Sequence, residues 1–353
     1  MIQYDYRISF NTPAFLGNAE QTGQWRTPPF KALLRQWWRV AFAAGLHGRV
    51  DVDEMRRQEG LLFGVAADGR EGSRKSRIRI RLDRWDGGKL KTWDRLEQTA
   101  IHHPEVERTR YKVGPHAYLG FGPLDGRNNT KLSEKVNAAI QADETATLSL
   151  AFEGTQQQIL ERTIWLVSHY GALGGRSRNG WGSLSLTPAS DSSPELNGPL
   201  ESALLHDWQR ALQLDWPHAI GRDEGGPLIW RTPACGDWKA LMRQLAEIKI
   251  GLRTQFKFPD AKPPHFKPLD RHWLSYPITT HWVKSWGRNL RLPNSLRFKV
   301  RRDDKGKLYG VIVHVPCKPP AAFSPDLKAI EEVWSQVHGF LDDPAHALTR
   351  IPA

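Results

Sequence analysis

Cysteine is nearly missing from this 353-residue chain: Cys235 and Cys317 are the only two, far apart in sequence. That excludes a disulfide framework and a cysteine zinc site, and it points to a reducing compartment. No apolar run is long enough to cross a bilayer, and the amino-terminal MIQYDYRISF alternates where a signal peptide would be continuously apolar. The expected location is the cytoplasm, with no membrane partner. No His-Glu-x-x-His or similar metal pattern occurs, and no Gly-Lys-Ser/Thr marks a nucleoside-triphosphate loop. No metal or other cofactor is expected. Acids are also in short supply: 38 Asp plus Glu stand against 50 Lys plus Arg, giving a net charge of +12 and a pI near 9.8. Such an excess favours a polyanionic partner such as nucleic acid.

What is present concentrates between Gly171 and Leu186, GALGGRSRNGWGSLSL. Upstream, Leu160, Ile164 and Val167 recur at helical spacing, with Thr155 placed to cap that helix and Gly171 to end it. Downstream, Leu184 and Leu186 alternate with Ser183 and Ser185 as in a half-buried strand. Gly174, Gly175, Gly180 and Gly182 permit positive φ and leave backbone N–H groups uncovered, while Arg176 and Arg178 add fixed charge. Ser177 and Asn179 complete the polar set. A dinucleotide fingerprint follows a strand and opens a helix, and here that order is reversed. A plain helix-to-strand turn would also use glycine, but twelve residues of this mixture point to an anion-binding loop.

At 353 residues the chain has room for about two domains with real cores. Tyr4, Tyr6, Ile8 and Phe10 alternate against polar residues as a half-buried strand. After a loop ending at Arg26, Thr27 is placed to cap a helix with Pro28 and Pro29 in its first turn. Phe30, Leu33, Leu34, Trp37 and Ala41 form its apolar face, while Lys31, Arg35 and Arg39 repeat every four residues on another. No acid occurs from Thr27 to Gly45, so a binding face is expected there. Arg77, Arg79 and Arg81 alternate with Ile78, Ile80 and Leu82, which suits either a phosphate track or protection of an exposed strand edge. Residues 84–131 read as an insertion containing AYLGFGPL, Ala117 to Leu124, and Leu148, Leu150 and Phe152 mark another strand. The resulting order, strand, helix, strand, strand, helix, strand, is that of a ferredoxin-like domain. In that topology the first and last strands are antiparallel neighbours. The loop ending at Arg26, the start of the cationic helix and the glycine loop should therefore meet.

From Thr187 to Leu200 the composition shifts to Pro, Ser, Asp and Asn, which divides the chain into residues 1–188 and 200–353. Beyond it, helices are expected over Leu200–Leu214, Trp238–Phe256 and Asp326–Leu341. Leu296, Phe298 and Val300 alternate with Arg297, Lys299 and Arg301, and a turn at Asp303–Gly306 leads to a second strand over Gly310–Val315. Most of the fifteen tryptophans belong in cores, with some free to stack on bases. Acid–base cleavage of RNA would use a histidine, and His47, His102 and His103 are candidates, none within a motif. Asp51 and Asp53 read as solvated charge, and Arg271, His272, Trp273 and Tyr276 as a polar-aromatic cluster whose expected role is packing, the alternative being contact with RNA or a partner.

The run TPAFLGNAEQTGQWRTPPFKALLRQWWRVAF, Thr12 to Phe42, paired with GALGGRSRNGWGSL, Gly171 to Leu184, resembles the RAMP superfamily of CRISPR effector proteins. More narrowly, it is similar to the two-domain subunit at the guide 3′ end of Cmr-type (type III-B) complexes. The resemblance covers the first half of the chain. It implies an α+β fold of tandem ferredoxin-like (RRM-like) domains, the second degenerate because no second glycine-arginine loop is visible. It also implies a non-catalytic RNA-binding subunit whose partners are CRISPR guide RNA, complementary target RNA and other Cmr subunits. Lys31, Arg35, Arg39, Gly174, Gly175, Arg176, Ser177 and Arg178 match the family's motifs, and Asn179 stands where a second basic residue is common. Arg26 is included with Asn179 among the expected RNA contacts. The competing readings are a RAMP-type, metal-independent endoribonuclease that processes precursor guide RNA, and a basic protein whose charge serves only assembly.

Overall fold

A computed structural model describes residues 1–46, 49–66, 72–93, 100–106, 113–126, 130–133, 138–259, 263–278 and 280–352. Its first unit contains β1 (Ile2–Phe10), α1 (Thr27–Ala44), α2 (Val52–Phe63), β2 (Arg79–Leu82), α3 (Pro115–Gly120), β3 (Thr145–Phe152), α4 (Gln157–Tyr170) and β4 (Leu184–Pro188). The strands form one sheet in the order β2-β3-β1-β4, with every neighbouring pair antiparallel. This is the expected ferredoxin-like arrangement, with α2 and α3 as additions. The period-2 pattern fixes the register: Tyr4 faces Leu150 and Phe10 faces Leu184, and Tyr4, Tyr6, Ile8 and Phe10 are all buried.

The same order returns in the second half as β5 (Ile229–Arg231), α5 (Trp238–Thr254), β6 (Leu296–Arg302), β7 (Leu308–His314), α6 (Leu327–Asp342) and β8 (Thr349–Arg350). Its sheet runs β6-β7-β5-β8, strand for strand the order of the first. The segment before the last strand differs: only Asp343 to Leu348 separate α6 from β8, where Gly171 to Ser183 separate α4 from β4. Both faces of the second sheet are covered. Leu296, Phe298, Val300 and Ile312 pack with α5 and α6, whereas Tyr309, Val311 and Val313 join the core that holds Leu160 and Ile164 of α4. The two units therefore share apolar core.

Several local expectations are corrected. Leu200–Leu214 is not one helix: Ser202–Leu204 forms a 3-10 turn, Leu205–Asp207 pairs in parallel with residues 220–222, and Asp207 caps a short helix, Trp208–Ala211. Burial of Leu204, Leu205 and Ile220 in the shared core overrides the helical spacing. Arg26, not Thr27, is the cap residue of α1, and Thr155 lies in a 3-10 turn ahead of α4. Asp51 is more than solvated charge, because it caps α2 by accepting from the N–H groups of Asp53 and Glu54. The arginine-bearing β2 lies at a sheet edge with Arg77, Arg79 and Arg81 exposed, as edge protection requires. Among the described residues no helix is long and apolar enough to cross a membrane.

Candidate nucleic-acid interface

The glycine loop is laced to the segment that follows β1. Asn11 donates its N–H to the Ser183 carbonyl at 2.7 Å, Gly182 to Pro13 at 2.8 Å and Gly175 to Phe15 at 2.9 Å. The Thr12 hydroxyl donates to the Gly180 carbonyl at 2.7 Å. The segment after β1 and the glycine loop thus meet as the topology led one to expect, while the start of α1 is not among these hydrogen-bond partners. The glycines, however, serve close approach of backbone to backbone. Gly174 has φ +88° and Gly182 φ +65°, and a Cβ on them would stand 2.6 Å from the Phe15 oxygen and 1.9 Å from the Leu173 oxygen. The N–H groups of Gly175, Asn179 and Gly182 bond inside the protein rather than lying open to a polyanion. Trp181, fully buried, pins the loop among Phe15, Trp93 and Trp238, with ring centroids 5.2, 5.5 and 5.9 Å away.

The second unit holds the loop from its other side. The Phe298 N–H donates to the Arg178 carbonyl at 3.1 Å, and the Val300 N–H to the Ser183 hydroxyl at 2.8 Å. Asn11 donates its side-chain N–H to the Val300 carbonyl at 2.9 Å. Lys299, fully buried, donates to the carbonyls of Val167 at 3.1 Å and Ser168 at 2.5 Å, at the carboxyl end of α4. Burial, and then the charge of Arg301, push its pKa well down.

Between the units lies a cleft of about 1210 Å³. Arg176 and Arg178 of the loop, Lys249 and Arg253 of α5, and Arg291 line it, and no carboxylate does so among the described residues. Aromatic surface comes from Tyr118 and Phe121 of the insertion and from Tyr276. Arg176 is exposed, with φ +58°, and its Nε donates to the Phe121 carbonyl at 2.6 Å. Lys249 is only 9% exposed and donates its ammonium N–H to Asn179 Oδ1. Asn179 in turn donates to the Leu119 carbonyl at 2.7 Å, so this side chain is engaged inside the protein. Burial, then the charges of Arg253 and Arg176, hold the Lys249 ammonium pKa well below its ordinary value. Burial also lowers Arg178, and no described acid answers it. The cleft is a cationic, partly desolvated concavity.

The helix stripe has a different fate. Arg35 and Arg39 of α1 converge on Glu59 of α2, at 2.7 and 2.5 Å, and Glu59 itself is 2% exposed. The acid-free run Thr27–Gly45 hid this partner, which comes from the next helix. Lys31, half-buried, has its pKa lowered by burial and by Arg35, and Arg26 has its Nε buried with no partner among the described residues. None of these four lines the cleft, whereas Gln36 of the same helix does. His47 lies outside the described residues, His102 is exposed, and His103 is buried edge-on to Tyr118 at 5.6 Å with its pKa lowered by burial. Sequence reasoning missed Lys249, Arg253 and Arg291. The four-residue spacing of Lys249 and Arg253 in IKIGLRT was the available signal, the same one followed in α1.

Two βαββαβ units sharing a core, with one glycine loop beside a cationic cleft, define a tandem ferredoxin-like α+β protein. Residues 7–185 match the model of the RAMP superfamily, and the chain belongs to that superfamily. No curated protein matches it in sequence. Among solved structures it is similar to Cmr1 from Pyrococcus furiosus in its apo form, at 14% identity and TM-score 0.48 over 99% of this chain and 98% of that one. It is also similar to a chain of the Type III-B Cmr-beta complex bound to cognate target RNA and AMPPnP in the presence of ssDNA. That likeness has 11% identity and TM-score 0.49 over 96% of this chain and 98% of that one.

Proposed function

We propose that this protein is a non-catalytic RNA-binding subunit of a type III-B (Cmr) CRISPR effector complex. Its cationic cleft would hold guide RNA near the 3′ end together with complementary target RNA. The observation that carries the reading is the cleft lining: Arg176, Arg178, Lys249, Arg253 and Arg291, with no carboxylate among the described residues. Cations left without acids over a concave surface attract phosphates, and guanidinium groups suit them geometrically. Tyr118, Tyr276 and Phe121, the last 60% exposed, offer ring faces to unpaired bases. Superfamily membership and the paired Thr12–Phe42 and Gly171–Leu184 motifs support the type of complex.

Arg176→Ala with Arg178→Ala should lower affinity for single-stranded RNA at least tenfold while circular dichroism and melting temperature stay near wild type. With about 4–6 phosphate contacts, log K against log salt should fall with a slope near −3 to −4, whatever the RNA sequence. Unchanged affinity at low and moderate salt would sink the cleft as an RNA site. Multiple turnover of a cleaved RNA, with or without chelator, would favour the endoribonuclease instead.

A further inference from the structure

β6 carries Arg297, Lys299 and Arg301 on alternate positions, turned away from the Leu296, Phe298 and Val300 that pack into the second unit. Two of these cations are accounted for: Lys299 donates to two carbonyls of α4, and Arg301, 5.6 Å from the ring of Tyr309, is only half-buried and keeps access to water. Arg297 is different. It is 8% exposed, its Nε is buried without a partner, and no hydrogen bond or ion pair joins it to a described residue. Its guanidinium lies 5.1 Å from the ring of Trp37, a contact that offers no acceptor to the buried Nε–H.

Arg178 stands beside it, also with its guanidinium unbonded to any described residue. Asn179 and Phe298 pair as a parallel bridge, and the Phe298 N–H holds the Arg178 carbonyl, so the residues before each are set side by side. The acids nearby are taken: Glu59 by Arg35 and Arg39, Asp215 by Arg56. Cys317, whose thiol burial pushes up to about 11, brings no negative charge. Two neighbouring arginines, Arg297 buried and Arg178 half-buried, without a carboxylate, are a costly arrangement unless an anion meets their donors. Paired forks fit the oxygens of a phosphate.

We propose that Arg178 and Arg297 together hold one phosphate group of a bound RNA, so that the second unit supplies an anchor that the glycine-loop motif does not contain. The proposal rests on the cleft being an RNA site: Arg178 lines that cleft, and Arg297 is outside its lining, set beside Arg178 through the backbone bridge of Asn179 and Phe298. The test uses the purified full chain and Arg297→Met, with melting temperature in phosphate and in chloride buffer at equal ionic strength, and RNA affinity across a salt series. Phosphate should raise the melting temperature of the wild type and not of the variant. In chloride the variant should melt no lower than wild type, because it loses an unanswered charge. Its RNA affinity should fall about tenfold, with a salt slope flatter by about 0.7, the value of one single-strand contact. If Arg297→Met fails to fold, Arg178→Gln must abolish the phosphate-induced rise, and a rise that persists overturns the proposal. Wild-type affinity and slope in Arg297→Met, with both lost on changing Arg176 and Arg178 to Ala, overturns the anchor and leaves the cleft standing. No effect in either variant overturns both.

Discussion

Glu59 shows how one side chain reassigns two others. Its carboxylate is buried where α2 crosses α1, and the guanidiniums of Arg35 and Arg39 approach it while staying partly exposed at 37% and 22%. Arg39 also lies 4.3 Å from the ring of Trp216, which Arg56 faces at 4.2 Å. These contacts make the two arginines a brace between helices. Glu59→Gln should therefore cost about 3 kcal/mol of stability, the lower end of the range for breaking a buried pair, because the arginines keep some water. RNA affinity measured below the melting transition should change little. A variant that melts like wild type and binds RNA differently would return these arginines to the RNA.

At the scale of elements, the glycine loop behaves as a rigid turn clamped by three segments: the chain after β1, the aromatic cluster around Trp181, and β6. Lys299 is a link that is fully buried and does not line the cleft. Its ammonium meets the Ser168 carbonyl at the end of α4, an end that helical geometry leaves without an internal donor. Lys299→Met should leave that carbonyl unpaired and cost about 1–3 kcal/mol. The amides from Gly171 to Ser183 should then exchange with solvent faster, and RNA should bind less tightly although the residue does not line the cleft. Wild-type exchange in this segment would show that β6 does not hold the loop in place.

At the scale of the molecule, the shared core makes one cooperative unfolding transition the expected behaviour, and its pH dependence follows from buried histidines. His272 and His338 both have their pKa lowered to about 4, chiefly by burial. An unfolded histidine titrates near 6.5, so between about 6.5 and 4 the unfolded chain binds protons that the folded one refuses. Their contribution to stability should be level above about pH 7 and fall below 6.5, by up to about 1.4 kcal/mol per pH unit for each such histidine. Urea denaturation at pH 7, 6 and 5 checks this. A flat profile over that window would mean that these rings accept protons in the folded state, and His338→Gln should make the decline shallower.

The sequence by itself determined the parts that depend on neighbours along the chain. The alternation of Tyr4, Tyr6, Ile8 and Phe10, the apolar face of α1 and the strand-helix order of the first unit could be read because periodicity places each side chain relative to its own backbone. The glycine loop was legible as a special segment for the same reason, since crowding of glycine and arginine is a local property. Its meaning was not local. That Gly174 and Gly182 are required by the oxygens of Phe15 and Leu173, that Glu59 answers the stripe of α1, and that Lys249 and Arg253 line the same cleft as Arg176 all depend on segments distant in sequence. Only the tertiary structure decided which cations keep their charge unanswered, because pairing is set by three-dimensional proximity and burial, and neither is contained in the spacing of residues along one strand or helix.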